Sequence, residues 1–234
     1  MENGNLNPRH MLNHSPHRFL YLLIALVAFV TIVPVLEAVG YGGTIFTIFV
    51  STILLSAAYA VSESRGQFYL TLILAGPAFA LRWINNFLGI PQLEFIADIL
   101  TALFLLVVAM LILTHVLRDE KVSREKIFAA LSVYLLLGVI WAFLFFFVDF
   151  LVPGSFRYGQ EQVLTEAQMV YYSFVTLTTL GYGDIVPVSP TARSLATLEA
   201  LTGQLYLTVL VARLVGLHIT HASRRRSAED QEKS

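Results

Sequence analysis

The chain has 234 residues, 56% of them hydrophobic and 13% charged, with a net charge of −1 and a mean hydropathy of +0.71. A soluble domain carries roughly 25% Asp, Glu, Lys and Arg, so this composition excludes a soluble fold, and its apolar surface excludes a solvated coil. The near-zero charge gives no general attraction to nucleic acid, and the lack of cysteine removes disulfide and thiolate chemistry.

A membrane span takes roughly 20 residues, and the sequence offers six. Residues 1–18, rich in Asn, His and Pro, are expected to form a disordered leader. The first span is Phe19 to Leu36, which no small-residue cleavage site follows, so it is retained rather than removed as a signal peptide. The second is Val39 to Ser62. The third begins at Gly66 and ends near Arg82 and Trp83, and the fourth runs from Phe95 to Leu117, interrupted only by Asp98. Residues 118–126 are a mixed-charge stretch suited to a short interfacial helix. The fifth span is Ile127 to Val148, and the last is Ser194 to His218, apolar except for Glu199 and Arg213. Pro34 and Pro77 fall within spans one and three, where they are expected to kink the helix. Residues 219–234 make a polar tail whose Arg224-Arg225-Arg226 cluster suits a topology anchor at anionic lipid headgroups.

Lys and Arg in the connections set the orientation. With the N-terminus inside, twelve fall on the cytoplasmic side and only Arg82, Arg157 and Arg193 on the other. Both termini are therefore expected in the cytoplasm of a multi-pass protein, and the small size and bare tails point to a prokaryotic plasma membrane.

A seventh apolar run, Ala167 to Gly183, ends in Gly-Tyr-Gly. Glycines at that spacing argue against a continuous spanning helix and for a short helix followed by an irregular loop. Irregular backbone at membrane depth is tolerated only when buried in protein or lining a water-filled path. Two glycines two residues apart let successive peptides alternate in hand, so that consecutive carbonyls point the same way. Thr179 adds a hydroxyl to that column. Oxygens with partial charge and no carboxylate suit a weakly hydrated monovalent cation rather than a divalent one.

The segment Thr179-Leu180-Gly181-Tyr182-Gly183-Asp184 resembles the selectivity filter of potassium channels, the general case used to explain carbonyl selectivity. The resemblance is close over Thr165 to His218 and architectural before that, where it is similar to the six-span, one-pore-loop plan. It implies an all-α integral membrane protein of six transmembrane helices, a re-entrant pore helix and a filter loop, assembled as a homotetramer. It divides the chain into the leader (1–18), a four-helix membrane domain (19–117), the linker (118–126), a pore domain (127–218) and the tail (219–234). It further implies that Thr179, Leu180, Gly181 and Tyr182 coordinate K+, that Gly183 completes the outer mouth, and that Asp184 anchors the filter through Tyr171. Tyr172 would brace the Tyr182 hydroxyl. Val175 stands where some members of that family carry a glutamate, so Asp184 lacks that partner. Gly203 matches the inner-helix hinge, or else permits close helix packing. Gln204 and Thr208 face the cavity, or else bond neighbouring helices.

The fourth span has no Lys or Arg between Ile99 and Leu117, unlike the arginine-rich fourth span of voltage-gated relatives. Intramembrane charges need partners. Arg82 and Asp98 lie at similar depth on antiparallel spans and are expected to pair as structural glue. Glu199 is expected to be protonated or hydrogen-bonded behind the pore helix. No nucleophile with its base, metal cluster or phosphate loop is present, so no enzyme and no cofactor beyond transported K+ is expected. The reading is a passive potassium-selective channel without steep voltage gating, its partners being its own copies, K+ and membrane lipids. A non-conducting sensor or regulatory subunit with a filter-like loop is the alternative.

Overall fold

The computed structural model describes residues 17–40, 42–62, 65–118, 123–159 and 164–232. Residues 1–16 of the leader, residues 119–122 of the linker and the last two residues lie outside them, and the described part of the linker belongs to the ends of the flanking helices, Arg118 closing one and Ser123 capping the next. Seven helices and one two-stranded sheet make up the described chain: α1 (Arg18–Ala38), α2 (Gly42–Val61), α3 (Arg65–Leu88), α4 (Pro91–Arg118), α5 (Arg124–Leu151), β1 (Phe156–Tyr158), α6 (Glu166–Leu177), β2 (Ile185–Pro187) and α7 (Pro190–Glu232).

Five of these helices are long and apolar enough to cross a membrane, namely α1, α2, α4, α5 and α7. The sequence suggested six. The third, α3, has the length, but Arg82, Asn85 and Asn86 in its last turns reduce its apolar character. A single bilayer-depth charge is tolerated where it faces protein, and Arg82 is buried.

Helices α1 to α4 pack around one apolar core with α5. Phe19, Leu22, Leu26 and Phe29 of α1 meet Phe46, Val50, Ile53 and Leu54 of α2 and Phe104, Leu105, Val108 and Ile112 of α4. Helix α3 sits mainly against α4, and α5 joins both α4 and α1 to α6. Outward faces remain apolar too: Ile24, Val35, Leu55, Ile73 and Met110 are all exposed. Helices apolar on every face are the mark of a lipid environment.

Helix α6 begins with a capping box. Thr165 Oγ1 accepts from Gln168 N at 3.2 Å, and Gln168 Oε1 accepts in return from Thr165 N at 2.8 Å. This fixes where the short helix starts. A second cluster (Phe145, Phe156, Met169, Tyr172, Ile185) packs α5, α6 and the two-stranded β1–β2 sheet together. The strands pair antiparallel, with Phe156 opposite Pro187 and Tyr158 opposite Ile185. The two ends of the segment 159–184 are thereby tied together.

Helix α7 does not stop near His218. It continues unbroken to Glu232, so the backbone of the polar tail extends the last span as helix. Pro34 and Pro77 are contained within α1 and α3.

Candidate ion-conducting site

Helix α6 ends at Leu177, and the chain then reverses through hydrogen bonds onto the helix's last carbonyls. Thr178 N donates to Phe174 O (3.1 Å) and Thr179 N to Thr176 O (2.9 Å). Leu180 N and Gly181 N both donate to Val175 O, at 2.9 and 3.2 Å. Val175 therefore supports the loop with its carbonyl, while its side chain is buried.

Beyond that turn the backbone alternates. Thr179 has φ +59°, Gly181 +60° and Gly183 +77°, while Leu180 and Tyr182 keep negative φ. Three left-handed residues at every second position turn alternate peptide planes, so that carbonyls can line one side of the strand. Two of the three are glycine, where this conformation is free of steric cost. Thr179 is the only non-glycine with positive φ among the described residues, and strain of this kind concentrates at functional sites. The strip from Thr179 to Asp184 is exposed in the single chain, with Leu180 at 55% and Tyr182 at 68%.

Both ends of the strip are held. Tyr171 donates its hydroxyl to Asp184 Oδ2 at 2.7 Å, and Asp184 Oδ1 accepts from Ile185 N at 3.0 Å, where β2 begins. At the other end Gln204 Nε2 lies 3.4 Å from Thr179 Oγ1. Tyr172 is buried, its ring edge-on between Phe145 (5.0 Å) and Phe156 (5.2 Å).

Behind the strip, α7 presses against α6 at Gly203. A Cβ there would stand 2.3 Å from the Leu177 carbonyl oxygen, so only glycine permits this approach. Of the two roles open to Gly203, close packing is the one visible in the geometry; α7 passes through it unbroken. Thr208 bonds the Gln204 carbonyl within its own helix at 2.7 Å. Glu199 is fully buried and meets Ser173 of α6, whose hydroxyl also lies 2.7 Å from Gly138 O of α5. A hydroxyl has one hydrogen, so both contacts are hydrogen bonds only when Glu199 brings a proton of its own. An isolated buried carboxylate would be far more costly.

Away from the strip, Arg82 forms an ion pair with Asp98. A third member is Glu166, in the first turn of α6, 3.4 Å from Arg82. The guanidinium also lies over the rings of Phe46 (5.5 Å) and Phe143 (5.6 Å). Arg82 thus joins α3 and α4 to the start of α6. Sequence reasoning missed Glu166 and Ser173. A Thr-Glu-Ala-Gln run at 165–168 was the available signal for the former, since it marks a helix start with an acidic first turn.

Residues 129–218 match the protein family described as an ion channel. The chain is 44% identical over 57 residues to the inward rectifier potassium channel Kirbac3.1 of Paramagnetospirillum magnetotacticum, which covers 24% of this chain and 16% of that protein. The match thus spans about a sixth of the relative's length. No solved structure matches the chain. Both matches are to membrane ion channels and neither is to an enzyme.

Proposed function

We propose that four copies of this chain assemble around a common axis into a passive, potassium-selective channel. One chain carries one strip, and a closed cage of carbonyls needs about four, which favours a cyclic homotetramer. The observation that carries the reading is the alternation of positive φ at Thr179, Gly181 and Gly183. That backbone, repeated around an axis, gives stacked rings of carbonyl oxygens from Thr179, Leu180, Gly181 and Tyr182, with the Thr179 hydroxyl as the innermost ligand. Such rings replace the hydration shell of K+ without fixed charge. Gly183 forms the outer mouth, held by Asp184 and Tyr171, and the exposed Tyr182 ring meets a neighbouring copy. Potassium is also what the name of the bacterial relative states.

In this reading α3 is a sixth crossing, with Arg82 shielded from lipid by Asp98, Glu166 and two aromatic rings. The twelve-to-three asymmetry of Lys and Arg puts both termini in the cytoplasm of a plasma membrane. Spans α5 and α7 with α6 build the pore, and α1 to α4 surround it. The deciding experiment is flux into liposomes reconstituted with the purified protein. Potassium-driven flux that rejects sodium is expected. Sodium passing as readily as potassium overturns the selectivity, and no flux from well-folded tetramers at several pH values and lipid compositions overturns the channel and leaves a regulatory subunit.

A further inference from the structure

We infer that Gln204 sets the cation affinity of the innermost filter site, by donating an N–H to the Thr179 hydroxyl. The inference rests on the filter reading above and extends it to a residue outside the loop.

The contact joins residues 25 apart in sequence, on α7 and at the base of the strip, with Gln204 Nε2 3.4 Å from Thr179 Oγ1. It exists because α7 comes so close to α6. At the preceding residue, Gly203, there is no room for a Cβ beside Leu177 O. The same carbonyl is reached from the other side by the Tyr134 hydroxyl of α5 at 3.4 Å. Tyr134 is in turn stacked on Tyr206 (5.9 Å), which donates to Ala130 O at 2.6 Å. Two helices, α5 and α7, therefore hold the end of α6, and Gln204 is delivered to Thr179 from a rigid support. Both residues are exposed in the single chain, on the side that the proposed tetramer turns toward its axis.

The chemistry follows from the oxygen's inventory. A hydroxyl has one hydrogen and two acceptor positions. With the Gln204 N–H on one acceptor position, a single one remains for the ion, and the hydroxyl hydrogen must point away from it. The amide competes with the cation for the same oxygen, once in each subunit. Four such bonds weaken the innermost site. Conduction benefits, since an ion must be held firmly enough to enter and loosely enough to leave.

The test is block by internal barium, a divalent probe for that oxygen cage, on the intact protein in a planar bilayer with symmetrical potassium. Gln204→Met has nearly the same length and no donor, so barium should bind at least about threefold more tightly, the order expected from losing one competing hydrogen bond. Gln204→Asn is too short to reach Thr179 and should behave like Gln204→Met. Gln204→Glu accepts the Thr179 hydrogen and adds charge, so it should tighten block further still. Unchanged or weaker block in Gln204→Met overturns the inference, as does a change in open probability alone, which is what a purely structural role would produce. For a variant that fails to conduct, barium-dependent thermal stabilisation of the purified protein reads the same affinity. A wild-type protein that conducts no potassium indicts the filter reading itself, whereas a conducting wild type with unaltered variants indicts only Gln204.

Discussion

The two halves of this molecule use polar groups in opposite ways. From α5 to α7, polarity is carried by backbone: the strip at 179–183 turns its peptide planes alternately and is exposed along its length. In α1 to α4 the charges that matter are buried and paired, with Arg82 held between Asp98 of α4 and the half-buried Glu166 of α6, while Arg82 Nε and Asp98 Oδ2 stay without a hydrogen-bond partner. Carbonyls with partial charge can be offered to a passing ion and released from it. A fully desolvated ion pair is costly to disturb, because removing one partner leaves an uncompensated charge. On the proposed channel reading, the comparison makes the first four helices a brace, with the Arg82 cluster tying α3 and α4 to the start of α6.

The sharpest way to break this contrast is Gly181→Ala. At φ +60° an L-residue is disfavoured by roughly 1–2 kcal/mol, repeated in each copy of the assembly. Potassium-over-sodium preference in liposome flux should drop at least tenfold on that account, while the protein still extracts and purifies as wild type. Undiminished selectivity would remove the carbonyl column from the explanation.

Next comes the brace. Arg82→Leu leaves the buried Asp98 and the half-buried Glu166 without their cation and should cost about 3–5 kcal/mol, read as a large fall in thermal stability in detergent. Replacing all three residues by leucine should recover most of that loss, as well-packed apolar groups often match a buried ion cluster. Failure of the triple variant to recover would assign the cluster a role beyond structure.

Glu199 separates the halves differently, since it is a buried acid inside the pore half. Glu199→Gln can still donate to Ser173 and should assemble normally, whereas Glu199→Lys places a cation among Ser173 and the Gly138 carbonyl and should prevent tetramer formation by size-exclusion chromatography. Equal behaviour of the two variants would mean that the side chain reaches water. A smaller effect is expected from Gly203→Ala. The added methyl meets the Leu177 carbonyl, and overpacking of this kind costs about 1–3 kcal/mol, visible as a lowered melting temperature.

The smallest expected effect is that of voltage. One charge crossing 100 mV contributes about 2.3 kcal/mol, and steep gating needs roughly 3–4 charges in each of four subunits. Helix α4 has no Lys or Arg from Ile99 to Leu117, and Arg82 cannot move without leaving both carboxylates. The conductance–voltage slope should correspond to about one or two charges for the whole assembly on that scale. A slope demanding about ten would turn the brace back into a sensor.

Composition and local pattern were enough to read the membrane class, five of the six expected spans and the filter-like loop, because each depends on residues close in sequence. Hydropathy over about 20 residues reports bilayer crossing, and Gly181 and Gly183 announce their backbone hand through the absence of a side chain. The Arg82–Asp98 pair was legible for a related reason, as two charges at one depth on adjacent spans leave few other partners. Other features needed the tertiary structure. Glu166 joins that pair only because α6 begins beside α3, and Ser173 faces Glu199 only because α6 is wedged between α5 and α7. Thr179 takes a left-handed conformation that its own chemistry disfavours, since the turn onto the Thr176 and Val175 carbonyls imposes it. Tyr172 packs between Phe145 and Phe156, a cluster that nothing in the local sequence marks. Local propensity follows neighbours in the chain, whereas a side chain's partner is chosen by whichever helix packing brings within reach.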